Sequence, residues 1–270
     1  MTTITTPAST EESFSTFGTA QGPETAVVGQ KAADVRKSQK RFQFLARLTG
    51  LLFIITFATS IPPVLFFYVP ALSDSAFVLG GGLDAGVSLG ALLELLLIAA
   101  NIGTALTLYP VLRMRFEVLS LAYVAARLTE CGFIAMGLVA LMALNTLRLN
   151  PGSAEDGTLI VAGQALVAIH DWTFRIGPGM VVGVGNGLIL GCMMWKTRLV
   201  PRAMSILGLV GGPALLVAGV AVLFGTIEAG SSGQVIATLP EFLWELSLGS
   251  YLMAKGFNPA ALAAIDHRGR

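Results

Sequence analysis

The stretch "LGALLELLLIAANIGTALTLYPV", residues 89–111, decides the fold. A helix rises about 1.5 Å per residue, so one of this length reaches across the roughly 30 Å hydrocarbon core of a bilayer. Its only charged residue is Glu94. The apolar run is continuous and too long for a barrel strand, which needs about 10 residues of alternating polarity. In lipid every backbone N–H and C=O must find its partner within the segment, so an α-helix is expected.

The rest of the chain repeats this pattern. Of its 270 residues, 54% are hydrophobic and 12% charged, about half the roughly 25% charged residues usual in soluble domains. The apolar excess falls in blocks at residues 44–69, 89–111, 118–147, 177–195, 201–225 and 236–253, the fourth preceded by a shorter apolar run at 159–176. The expected fold is all-α: a polytopic helical membrane protein with six transmembrane helices. Pro62 and Pro63 are expected to kink or unwind the outer end of the first span. Pro201 suits the first turn of the fifth, which Pro213 kinks. Thr238 and Glu241 have the spacing of a capping box around Pro240 in the sixth.

Flanking the membrane domain, residues 41–257, are two expected cytoplasmic tails, 1–40 and 258–270. Residues 1–33 are rich in Thr, Ser, Ala, Gly and Glu without helical periodicity, a composition that cannot bury a core, so the first tail is expected to be disordered and basic at its end. Lys31, Arg36, Lys37, Lys40 and Arg41 then form a basic segment that sets topology and suits anionic lipid. No secretory signal precedes the first span, which is expected to serve as its own uncleaved insertion signal.

Orientation follows from Lys and Arg in the short loops. Arg113 and Arg115 follow the second span, Lys196, Arg198 and Arg202 the fourth, and Lys255, Arg268 and Arg270 the last. The opposite loops hold Asp74 and Asp84, then Glu155 and Asp156 (with Arg148 just before them), then Glu228 alone. Both termini are therefore expected in the cytoplasm of a multi-pass protein of the cell membrane.

The composition also excludes some functions. Positive charge is clustered by segment, and neither the basic stripe nor the aromatic–basic interleaving that nucleic-acid binding needs appears outside short loops. Cys131 and Cys192 both lie in apolar blocks and read as packing residues, not as a disulfide or metal site. Gly183, Gly185 and Gly187 faintly resemble a dinucleotide-binding motif, but that motif needs a preceding strand and these lie in lipid. Gly179, Gly183, Gly187 and Gly191 instead recur every four residues, a small-residue ridge for close helix packing.

The informative residues are polar groups that lipid disfavours. A charge at the bilayer centre costs about 2.5–3.5 kcal/mol on insertion scales, so such groups face a partner or a wet cavity. Glu94 and Asn101 share one face of the second span; Arg127 and Glu130, three apart, share one face of the third and can pair. Glu245 lies on the sixth span, and His170 and Asp171 precede the fourth. Topology gathers them all between the midplane and the outer surface, as a candidate polar cavity roofed by His170 and Asp171 and floored by Glu130. Trp172 can anchor the roof segment at the interface. Glu241 reads as a cap.

The chain resembles a family of bacterial membrane proteins known as domain of unknown function 4386. The likeness lies in "LLELLLIAANIGTALTLYPVL" (92–112), "YVAARLTECGF" (123–133), "AIHDWTF" (168–174), "GPG" (177–179), "RLVPRAMSILGLVGGP" (198–213) and "LWELSLGSYLMAKGF" (243–257). It implies a six-helix membrane protein and no assigned activity. Arg175 stands where the family pattern has an apolar residue, and no role is carried onto it.

Three functions compete. The first is binding or transport of a small molecule or cation in an outward-facing polar cavity, with Glu94, Glu130 and Glu245 as acidic groups and Arg127 holding Glu130 ionised. The second is a structural or regulatory membrane subunit that uses the glycine ridge to hold a membrane partner or a second copy. The third is an intramembrane metal-dependent hydrolase built on His170. Against it, only His170 and His267 are available as histidine ligands, and no HExxH helix or serine-nucleophile motif is present. No cofactor and no resident metal are expected.

Overall fold

The computed structural model describes Thr3 and residues 23–266, and all regular structure among the described residues is helical. Helix α1 (Pro23–Pro62) runs into a π-helical turn at Pro63–Phe67, the short α2 (Val69–Ser73) and a 3-10 turn at Phe77–Gly80. Helices α3 (Ala85–Leu112), α4 (Glu117–Leu149) and α5 (Asp156–Ile176) follow. Two π-helical segments, Gly177–Val181 and Gly183–Leu190, lead to α6 (Gly191–Thr197), then α7 (Arg202–Leu223), α8 (Ser232–Lys255) and α9 (Pro259–Asp266). The chain divides into two units, Met1–Ser38 and Gln39–Arg270. All the packing that follows lies within the second.

Five helical stretches are long and apolar enough to cross a membrane: Asp34–Phe67, Ala85–Leu112, Glu117–Leu149, Asp156–Thr197 and Arg202–Leu223. The fold is that of a polytopic helical membrane protein. Helix α8 has the length, with 24 residues, but Pro240, Glu241, Trp244, Glu245 and its serines lower its hydropathy below that of the others. Helix α3 shows the inside-out pattern of a lipid-embedded helix. Leu92, Leu95 and Leu96 are 53%, 53% and 49% exposed, whereas Glu94 and Asn101 are buried. Apolar side chains face outward and polar ones inward, the reverse of a surface helix in water.

The elements depart from the expected ones where proline is involved. The fourth span is not a helix starting near residue 177; it is the later part of one helical path from Asp156 to Thr197. Pro178 has no N–H to give, and the chain answers with a wider turn in which the Val182 N–H reaches back to the Gly177 carbonyl. The same device follows Pro63, where the Tyr68 N–H bonds the Pro63 carbonyl at 2.8 Å. Pro63 and Pro178 thus sit in π turns, whereas Pro110, Pro213 and Pro240 lie inside α-helices, and the first span is not unwound. The capping-box reading of Thr238 and Glu241 is corrected: α8 begins at Ser232 behind an extended N-cap at Ser231, and both residues lie inside it. The Thr238 hydroxyl donates back to the Gln234 carbonyl at 2.8 Å.

Helix also reaches into the segments expected as tails. Helix α1 begins at Pro23, ahead of the basic residues; apart from Thr3, the residues before it lie outside the described ones, as does His267. After residue 257, α9 buries Leu262 and Ile265 in the main core. Gln43 ties this end to α1, donating to the Phe257 carbonyl at 2.7 Å and accepting from its N–H at 2.9 Å.

Two apolar cores frame the site. The larger gathers Phe53, Leu108, Tyr123, Met193, Met194, Trp244 and Leu248 with α9, and the smaller gathers Tyr68, Phe77, Val78, Leu141, Leu144 and Leu159. Beside the smaller core, Asn145 clamps the start of α3. Its Oδ1 accepts from the Asp84 N–H at 2.8 Å, and its Nδ2 donates to the Asp84 carbonyl at 3.0 Å. Asp84 in turn caps α3 through the Val87 N–H at 2.9 Å.

Candidate functional site: an acidic cavity within the helices

Helices α3 and α4 build the cavity's polar floor. Arg127 Nη1 meets Glu130 Oε2 at 2.7 Å, and its Nη2 donates to Asn101 Oδ1 at 2.5 Å. Asn101 closes the ring by donating from Nδ2 to Glu130 Oε1 at 3.1 Å. All three side chains are buried. The i,i+3 spacing on α4 sets the ion pair, and Asn101 from α3 takes the lone pair and proton that the pair leaves over. Phe53 on α1 lies 5.9 Å beneath the guanidinium, whose Nε has no hydrogen-bond partner.

Helix α8 supplies the opposite wall with Glu241 and Glu245. Glu245 is half-buried and accepts from Asn186 Nδ2, while the Asn186 carbonyl accepts from Trp244 Nε1 at 3.0 Å. Glu241 is 2% exposed, and neither of its carboxylate oxygens has a hydrogen-bond partner. Glycines make room for it: a Cβ on Gly187 would come within 2.6 Å of Glu241 Oε2, and one on Gly211 within 2.9 Å.

These residues surround one cavity of about 180 Å³. Glu94, Asn101, Arg127, Glu130, Glu241 and Glu245 all line it, with Thr56, Ser60 and Thr238 as further polar groups. The volume is well above the roughly 10–15 Å³ that a single water needs. Four carboxylates face one guanidinium across it. Glu94 is 5% exposed, and its Oε2 is unpartnered like both oxygens of Glu241.

His170 and Asp171 lie elsewhere. They line a second, larger cavity beside the first, where Asp171 sits 3.6 Å from Arg175. His170 stacks edge-on against Tyr68 with ring centroids 5.6 Å apart, and its Nδ1 lies 3.7 Å from Asp171 Oδ1 without a hydrogen bond. A cleft of about 10 Å³ lined by His170, Glu94 and Thr173 is the nearest link between this group and the acidic cavity. The structure thus brings Glu94, Asn101, Arg127, Glu130 and Glu245 together and leaves His170 and Asp171 next door. Among the described residues no group of three or more His, Cys, Asp and Glu side chains is set to hold a metal ion.

Gly183 and Gly187 face α7 within the same chain, where an added Cβ would run into the Gly212 backbone, and Gly191 lies against Leu209. A Cβ on Gly179 would lie 3.4 Å from the Phe174 carbonyl of the preceding turn. Glu241 and Asn186 were not among the residues expected in the site. A signal for Glu241 was present in its i,i+4 spacing from Glu245, which puts both carboxylates on one face of a helix.

The fold and the cavity define a class: a helical membrane protein with a buried acidic cavity between its helices. Residues 48–256 match the family described as Domain of unknown function (DUF4386), and the chain belongs to that family. No curated protein and no solved structure matches it.

Proposed function

We propose that the protein binds a small cationic ligand in the acidic cavity, within a six-helix domain of the cell membrane whose termini are both cytoplasmic. The observation that carries this reading is Glu241, a buried carboxylate with both oxygens unpartnered, in a cavity where four carboxylates face one guanidinium. An uncompensated charge in low dielectric is costly. Arg127 is already engaged by Glu130 and Asn101, so the remaining acid calls for a cation from outside: a metal ion or an ammonium group. The six-span topology is supported by the basic loops after the second, fourth and sixth blocks and by the length of α8. The structural-subunit reading is weakened because Gly183 and Gly187 meet α7 and leave no ridge there for a partner.

The test is covalent labelling of the purified full chain with dicyclohexylcarbodiimide, a hydrophobic reagent for carboxyl groups, read by mass spectrometry. Glu241 is expected to be labelled, and a binding cation to slow that labelling in a saturable way. Protection by none of Na⁺, K⁺ or organic ammonium ions at one fixed pH would overturn the proposal.

A further inference from the structure

We infer, resting on the cation reading above, that the ligand is an amphipathic amine whose apolar body lies in the larger cavity and whose ammonium group reaches Glu241. That larger cavity measures about 700 Å³, inside the roughly 300–1,000 Å³ range of small-molecule sites. It lies between the end of α5 and the first turns of α8, and most of its walls are apolar, with Val64, Leu72, Val235 and Leu239 among them.

The two cavities share a wall. Phe174, Pro178, Leu215, Thr238 and Phe242 line both. Phe174 and Phe242, 40% and 39% exposed, form the aromatic part of this partition, Phe174 stacked on His170 at 6.4 Å and Phe242 edge-on to Phe57 at 5.2 Å, and a ligand spanning both spaces has to displace these rings. Glu241 directly precedes Phe242 and lines the far side of this partition. In the larger cavity the charged groups offset one another, since Asp171 faces Arg175 at 3.6 Å. The unbalanced acid therefore lies only beyond the aromatic partition. A ligand that satisfies both spaces is apolar at one end and cationic at the other.

The same geometry disfavours a bare metal ion. A dehydrated hard cation takes about six or more oxygen ligands at close range, yet the acidic groups among the described residues do not converge on such a point. An ammonium group needs only a few acceptors, and Glu241 offers two free oxygens.

The experiment is equilibrium binding of tritiated 4-phenylbutylamine to the full chain in phosphatidylcholine nanodiscs, with 4-phenylbutanol as the uncharged counterpart. Saturable amine binding is expected, weakened at least about tenfold by Glu241→Gln, because removing one partner of a buried charge pair raises dissociation. Ala229→Trp, in the exposed loop before α8, fills the larger cavity without touching the acidic one and is expected to weaken the amine by a similar factor. Equal binding of amine and alcohol would overturn the inference, as would amine binding that survives Ala229→Trp. Protection of Glu241 by Na⁺ or K⁺ without any amine binding would overturn the amine alone and leave the cation site standing. No protection by any cation would overturn both.

Discussion

Arg127 holds the polar floor together because it satisfies two partners at once, Glu130 and Asn101. Removing one member of a buried ion pair leaves an uncompensated charge and costs about 3–5 kcal/mol, whereas replacing both by apolar groups is often close to neutral. Arg127→Met is therefore expected to lower stability by that amount, and Arg127→Met with Glu130→Leu to recover most of it. Thermal unfolding in nanodiscs checks this; equal destabilisation by the single and double variants would show that the loss is packing, not charge. The floor was legible in the sequence because i,i+3 spacing on a long apolar helix leaves Arg127 and Glu130 one face to share. Glu241 was not, since Thr238, Pro240 and Glu241 spell a helix start just as well. Only the glycine surfaces at Gly187 and Gly211, distant in sequence, show that this carboxylate is covered.

Among the helices, the packing of Gly183–Leu190 against α7 sets how close α8 can bring its carboxylates. A Cβ on Gly187 would overlap the Gly212 backbone and crowd Glu241. Overpacking of this kind costs about 1–3 kcal/mol, so Gly187→Ala is expected to lower the unfolding temperature and to change the rate at which Glu241 reacts with carbodiimide. Gly132→Ala is the control. Nothing lies within 4 Å of its added Cβ, and the gain in helix propensity is about 0.5–1 kcal/mol. A destabilised Gly132→Ala alongside a neutral Gly187→Ala would contradict this packing. The four-residue glycine spacing was readable; the π-helical path was not. Proline marks where a helix loses a donor, but whether the chain breaks, kinks or widens a turn depends on what packs around it, here Phe133 against Gly177 and Gly212 against Gly183.

At the scale of the whole molecule, the apolar blocks carried the helical membrane class, because lipid permits so few alternatives, while the loop charges carried only an expected orientation and a sixth span. What they left open was which faces meet, since apolar helices rotate about their axes with little change in hydropathy. The six-span topology makes its own prediction. With Cys131 and Cys192 replaced by alanine, Ser75→Cys and Ser153→Cys should react with an impermeant maleimide on intact cells, and Ala260→Cys only after the cells are broken. Labelling of all three from outside would mean that α8 does not cross. On the cation reading proposed above, Glu241 is buried for a ligand and contributes nothing to holding the fold. The most direct test of that reading is the thermal unfolding of Glu241→Gln beside the wild type, each with and without 4-phenylbutylamine. A ligand that binds only the folded state raises Tm, so the wild type is expected to gain stability with the amine. The variant is expected to start at an equal or higher Tm and gain nothing. A variant that unfolds several degrees lower, yet is still stabilised by the amine, would contradict the account.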